Sequence, residues 1–338
     1  MEKFLKSVYL DRLQNALETQ QRKKEEIVTC TQYAQKLMAD NLPVLFEENH
    51  VYQVLKWKKS NQQQYHTFYL VQKGKEREIT APSRELKRRQ RWILDNILTK
   101  LKISDYAHGF VKNRSIRTNA ELHMTHDYAL CMDIEDFFLS IKEDTVKEVF
   151  ARAGYSRRAA NALADMCCYF GALPQGAPTS PYLANLVFIE KDHELALLAK
   201  QHDATYSRYA DDLTFSSDNP LGNLSDAVNQ VLQNNGFRLN DSKTKEFFPG
   251  QPKRITGLIV QNGLIRVPRK FKRTLKQEIY YCKKYGVALH LENTRAHKTI
   301  NYREYLYGKA YYINMIEPEL GKHYLKQLDE IHRPSYYL

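Results

Sequence analysis

The chain has 338 residues, 43% hydrophobic and 27% charged, which is enough apolar material to bury a substantial core and too much for a disordered segment. Its formal charge of +12 and pI near 9.2 favour a polyanionic partner, because each phosphate neutralised releases counterions. No apolar run approaches the ~18 residues of a membrane span, and neither a Gly-x-Gly-x-x-Gly fingerprint nor a Walker loop is present, which argues against membrane, Rossmann-type and P-loop proteins. The five cysteines, Cys30, Cys131, Cys167, Cys168 and Cys282, offer no paired Cys-x-x-Cys set for structural zinc. Their odd number without a secretory leader predicts a soluble protein in a reducing cytoplasm.

In chain order, residues 4–39 read as one or two helices, with Leu5, Tyr9, Leu13 and Leu17 four apart and a polar interruption at 20–26. Strands are expected at 67–71 and 76–80, joined through Lys73-Gly74. Ser83 then caps a helix that sets Leu86, Ile93 and Ile97 against Lys87, Arg88, Arg89 and Arg91. Asn119-Ala120-Glu121-Leu122-His123 reads as a helix start with an Asn cap. Residues 130–138 describe an apolar strand carrying Asp133 into a charged, aromatic turn. Helices are predicted at 142–153 and 157–170. Pro174, Pro178 and Pro181 stiffen a loop of small residues before a helix at 182–200. A helix at 221–235 and a short strand at 237–239 follow. A hairpin pairs 255–260 with 263–267 through Gln261-Asn262, and a helix runs from Pro268 to Gly286 with Phe271, Leu275, Ile279 and Cys282 on one stripe. Tyr302, Tyr305, Tyr307, Tyr311 and Tyr312 divide between packing and base stacking, about half to each.

The most informative segment is Tyr209-Ala210-Asp211-Asp212, flanked by residues rich in β-branched and aromatic side chains. Neighbours on a regular strand face apart, so both acids reach one centre only at a bend, and the pattern predicts a hairpin with the acids at its tip. A bare Asp-Asp is most often a solvated turn. Close acids otherwise demand a raised pKa or a bound cation, with magnesium favoured because it is held by one or two carboxylates together with substrate phosphates. Asp133 supplies a third carboxylate, and three would hold two metals about 3.5–4 Å apart for nucleotidyl transfer. Glu135 and Asp136 fit a helix or turn start better than a metal shell.

Tyr-Ala-Asp-Asp, the Asp133 segment and Leu173-Pro174-Gln175-Gly176-Ala177-Pro178-Thr179-Ser180-Pro181 resemble three successive signature motifs of reverse transcriptases. Asn119 to His123 is similar to the Asn-Ala-x-x-His element of the bacterial retron branch, and Ile255-Thr256-Gly257 to its Val-Thr-Gly element. The resemblance implies an α/β (α+β) right-hand polymerase: an N-terminal helical extension at 1–40, fingers at 41–125 with part of 141–182, a palm with an antiparallel sheet flanked by helices at 126–262, and a helical thumb with RNA-binding residues at 263–338. It implies metal contacts at Asp133, Ile134, Asp211 and Asp212, and catalytic roles for the three aspartates and Lys243. Substrate contacts are implied at Arg77, Phe138, Gln175, Gly176 and Tyr209, with Phe138 excluding a 2′-hydroxyl. RNA contacts are implied at Asn119, His123, Thr256 and Gly257. The cofactor would be two Mg2+ ions, with Mn2+ as a substitute. Implied partners are dNTPs, a cognate structured noncoding RNA with its RNA–DNA product, and a retron effector protein, with no membrane. The implied reaction starts from the 2′-hydroxyl of a guanosine and yields branched multicopy single-stranded DNA in antiphage defence. Another group II intron-like reverse transcriptase and a noncatalytic RNA-binding scaffold are the alternatives, and three mutually repelling acids speak against the scaffold.

Overall fold

The structure, a computed structural model, describes residues 2–57, 64–72, 75–293 and 301–332. Its strands, in chain order, are β1 (Tyr65–Gln72), β2 (Lys75–Pro82), β3 (Tyr128–Asp133), β4 (Thr205–Tyr209), β5 (Asp212–Ser217), β6 (Lys245–Phe247), β7 (Lys253–Ile255), β8 (Leu258–Gln261) and β9 (Leu264–Arg266). The chain divides into two compact units, one formed by Met1–Phe110, Ile134–Leu195 and Asn229–Leu239, the other by Val111–Asp133, Ala196–Val228 and Asn240–Leu338. The stretch 126–262, expected to form a palm, therefore contributes to both. Among the described residues, no helix is long and apolar enough to cross a membrane.

The first unit is mainly helical. Helices Glu2–Thr19 and Lys24–Ala39 break at the polar stretch, as the sequence predicts. Ser83 caps helix Arg84–Asn96 by accepting from the Leu86 amide. Fully buried Gln90 on that helix donates from Nε2 to the Tyr65 hydroxyl and to the Met166 carbonyl, both at 2.8 Å, joining the base of β1 to helix Arg157–Cys167. β1 and β2 pair antiparallel from Tyr65↔Pro82 to Gln72↔Lys75. The predicted Lys73-Gly74 turn lies outside the described residues. The helix expected at 182–200 is two helices, Ser180–Val187 and Ile189–Gln201, separated at Phe188. Its buried ring meets Phe137 and Phe237 at centroid distances of 5.6 and 5.1 Å, so packing fixes a break that no glycine or proline announces.

The second unit holds an antiparallel sheet in the order β4-β5-β3-β6 and a three-stranded sheet β7-β8-β9. The single hairpin expected at 255–267 is two. Thr256-Gly257 turns β7 into β8 and Asn262-Gly263 turns β8 into β9, all four residues having positive φ, the conformation of the type I′ turns that match strand twist. Helix Ile116–Glu121 packs on β4 and also on β8 and β9. Helix Arg269–Tyr285 ends at Gly286, whose φ is +80°, and buries Leu275, Ile279 and Cys282 of the predicted stripe. They pack with Ile255, Leu258 and Val260 and with Leu306 and Ile313 of helix Tyr302–Ile316. Tyr302 is buried in this core, while Tyr305 and Tyr311 are exposed.

Candidate active site

The acid pair sits where its flanks place it. β4 and β5 pair through Tyr209↔Asp212, leaving Ala210 and Asp211 as a two-residue turn. Ala210 has a φ of +58°, a left-handed conformation that costs an L-residue about 1–2 kcal/mol and persists only where surrounding structure enforces it. Arg208, fully buried, donates from Nη1 to the Ala210 carbonyl at 3.1 Å and braces the turn. β3 runs beside β5 with Asp133 directly opposite Asp212. Cross-strand partners share a face, so the two carboxylates stand together although far apart in sequence.

The electrostatics follow from that register. Burial comes first, then the Asp211 and Asp133 charges; together they push the Asp212 carboxyl up to about 7, with Lys243 acting in the opposite direction. Lys243, on the short 3-10 turn Asp241–Lys243, places Nζ 2.5 Å from Asp133 Oδ1. Its own side chain is half exposed while Asp133 is 7% exposed. A cavity of about 400 Å³ opens beside them, lined among others by Cys131, Asp133, Asp212, Lys243, Arg254 and Thr256. Cys131 donates from Sγ to the Arg254 carbonyl, and burial pushes its thiol up to about 12.

Asp133, Asp211 and Asp212 offer only oxygen donors, the preference of a hard cation such as Mg2+. Burial first, and then the Asp211 and Asp133 charges, disfavour an ionised Asp212 carboxyl, and a divalent cation bound there would favour it. Ile134, with a buried side chain, has only its backbone carbonyl to contribute. The bridge Ile134↔Leu239 runs through the Asp133 carbonyl and the Glu135 amide, so it leaves that carbonyl out of the pairing. Among the described residues, no three His, Cys, Asp or Glu side chains are gathered closely enough to hold a metal ion.

The other sequence candidates divide. Tyr209 is half-buried opposite Asp212, and burial, followed by the Asp212 charge, raises its hydroxyl. Thr256, with a φ of +44°, and Gly257 line the same cavity as the aspartates; positive φ at a β-branched residue is an outlier. Arg77, Phe138, Gln175 and Gly176 belong to the first unit. Arg77 stands opposite Leu70 in the β1–β2 ladder, with its side chain outside those described. Gln175 is exposed, and Phe138 is half-buried beside fully packed Phe137.

At Gly176, implied as a substrate contact, the amide bonds the Thr80 carbonyl at 3.1 Å, and a Cβ would lie 2.5 Å from that oxygen, so β2 itself takes the space on that side. Asn119 and His123, implied as RNA contacts, are fully buried in the chain without RNA. Ser115, not Asn119, caps the helix, through a reciprocal pair with Thr118. Residues missed from sequence include Arg208, Ser207, Ser216 and Lys253; a buried charge or hydroxyl within a strand looks like ordinary alternation until register is known.

Residues 57–298 match the family described as reverse transcriptase (RNA-dependent DNA polymerase). The Retron Ec86 reverse transcriptase of Escherichia coli is 36% identical over 222 residues, covering 64% of this chain and 69% of that protein. The Retron Mx162 reverse transcriptase of Myxococcus xanthus is 34% identical over 293 residues, covering 76% of this chain and 59% of that protein. The Retron Mx65 enzyme of the same organism is 34% identical over 279 residues, 75% of this chain and 62% of that protein. The chain thus spans about three fifths of the length of the two Myxococcus relatives. Opposed aspartates on neighbouring antiparallel strands and a match over most of the sequence lead to one conclusion: the chain belongs to the reverse transcriptase family, with its right-hand polymerase fold, and within it to the retron reverse transcriptases.

Proposed function

We propose that this chain is a retron RNA-directed DNA polymerase. It recognises a cognate structured noncoding RNA, primes from the 2′-hydroxyl of a guanosine, and copies part of that RNA into branched multicopy single-stranded DNA. It works in an antiphage defence system with an effector protein. The single observation that carries the chemistry is the Asp133↔Asp212 register, with Asp211 adjacent on the hairpin tip. The 2′-priming and the defence role are supported by membership of the retron branch.

Two Mg2+ ions bound there would lower the pKa of the attacking hydroxyl and stabilise charge on the departing pyrophosphate, with Mn2+ as a substitute. Asp133, Asp211 and Asp212 would hold them, joined by the Ile134 carbonyl. Lys243, paired with Asp133 through a half-exposed side chain, is a cation able to swing toward developing phosphate charge and to donate a proton. Thr256 and Gly257 on the cavity wall suit the priming strand. Arg77 on the fingers hairpin is assigned the triphosphate, a task for a planar guanidinium fork. Gln175 is assigned the nucleotide and template, and Phe138 the exclusion of a ribose 2′-hydroxyl.

A labelled primer annealed to RNA, with dNTPs and Mg2+, tests the reading. The wild-type chain should extend it, and Asp211→Asn should lower extension on the order of 10³-fold while RNA affinity stays within about twofold. Extension by Asp211→Asn at the wild-type rate removes the aspartates from the chemistry, and cleavage of the primer in place of extension identifies a nuclease.

A further inference from the structure

We propose that His123 is a positioning residue for the aspartate hairpin, acting through Ser207 and Ser216; this rests on the polymerase reading above. The imidazole is fully buried, with Nε2 2.7 Å from Ser207 Oγ and Nδ1 2.7 Å from Ser216 Oγ. Ser207 lies on β4 and Ser216 on β5, so one ring ties the two arms of the hairpin that carries Asp211 and Asp212. The register Ser207↔Thr214 and Thr205↔Ser216 places both serines on the face that also presents Asp212. Ser216 is four residues from Asp212, about 13 Å along the strand.

Ser207 Oγ donates to Asn119 Oδ1 at 2.8 Å. Asn119, Ser207, His123 and Ser216 thus form a chain from helix Ile116–Glu121 across both strands. Buried Lys253, at the start of β7, donates to the carbonyls of His123 and His126, which fastens the Thr256-Gly257 hairpin to the same loop. The His126 ring repeats the tie farther from the tip, with Nε2 3.1 Å from Thr205 Oγ1 and Nδ1 3.2 Å from Asp218 Oδ1. The positive φ at Ala210 comes with the two-residue hairpin turn itself, and the buried ties hold the two strands that the turn joins.

The test uses the full chain with Ser216→Ala and Ser216→Thr, and reads Mn2+ affinity by electron paramagnetic resonance alongside primer extension. Positioning predicts that Ser216→Ala binds Mn2+ about fivefold more weakly and extends about tenfold more slowly at saturating dNTP, with KM for dNTP within about twofold. Its melting temperature should stay within about 3 °C of wild type, and Ser216→Thr, which keeps the hydroxyl, should recover both quantities. Ser207→Ala, cutting the other arm, should give the same pattern. Wild-type Mn2+ affinity and rate in both alanine variants overturns the proposal. So does a loss matched by the unfolded fraction, which assigns the network to stability alone. Weakened Mn2+ binding in Ser216→Ala, in a protein whose wild-type form extends no primer, supports the positioning role and defeats the polymerase reading instead.

Discussion

Two antiparallel hairpins of this chain are secured in opposite ways. The β4–β5 hairpin is short and its arms are tied by buried side chains: Arg208 to the turn carbonyl, and His123 between Ser207 and Ser216. The longer β1–β2 hairpin exposes Tyr69 at 63% and Val71 at 67%, and its base is fixed by Gln90 at Tyr65 and by the Gly176 amide against Thr80. Carboxylates that must meet a cation at defined distances need a rigid mount, since an error of about 1 Å can cost 10²-fold in rate. A hairpin assigned to a substrate that enters and leaves needs only its own ladder and a firm root.

Substitutions at the two roots sharpen the contrast. Gly176→Ala should have the largest effect on stability, because the new Cβ would lie 2.5 Å from the Thr80 carbonyl oxygen. A loss of about 1–3 kcal/mol is expected, seen as a lower denaturation midpoint, and an unchanged midpoint would mean that the β2 contact is loose. Next comes the charge at the other hairpin. With its carboxyl pushed up from 3.8 to about 7, Asp212 contributes stability that is fully present below about pH 4, where the unfolded chain is also protonated, and that is lost as pH rises through about 7. In chelator, the wild type should therefore lose about 5 °C more in melting temperature between pH 4.5 and 8 than Asp212→Asn does. Parallel pH curves for the two proteins would place Asp212 in a less crowded field. The smallest effect is expected from Ala210→Gly, which relieves the positive φ and should stabilise by up to about 1 kcal/mol. A destabilised glycine variant would show that the alanine methyl packs better than its backbone strains.

What could be read in the sequence was what a short string encodes. Tyr209 to Asp212 specifies a turn through its acids and its strand-like flanks, Ser83 announces a helix start, and Gly286 a helix end. Asn262-Gly263 carries the signature of a primed turn, and the sequence reading missed its position by one residue. Thr256-Gly257 carries a weaker one, because threonine is an unfavourable residue at positive φ, and the strand was expected to continue through it. Asn119 and His123 were visible as a motif but not as an interior. Their burial depends on which face of β4 and β5 receives the helix, a matter of register among segments more than 80 residues apart. The break at Phe188 was hidden for the same reason, since only its packing against Phe137 and Phe237 places it.

The Cys131 thiol beside the aspartates has a bearing on which metals can poison this protein. Thiophilic ions such as zinc or cadmium bind the deprotonated sulfur, and a thiol pushed up to about 12 is almost wholly protonated at neutral pH. Its proton is also engaged by the Arg254 carbonyl. Sulfur thus binds such an ion only by giving up its proton, and inhibition by zinc or cadmium through Cys131 should strengthen as pH rises.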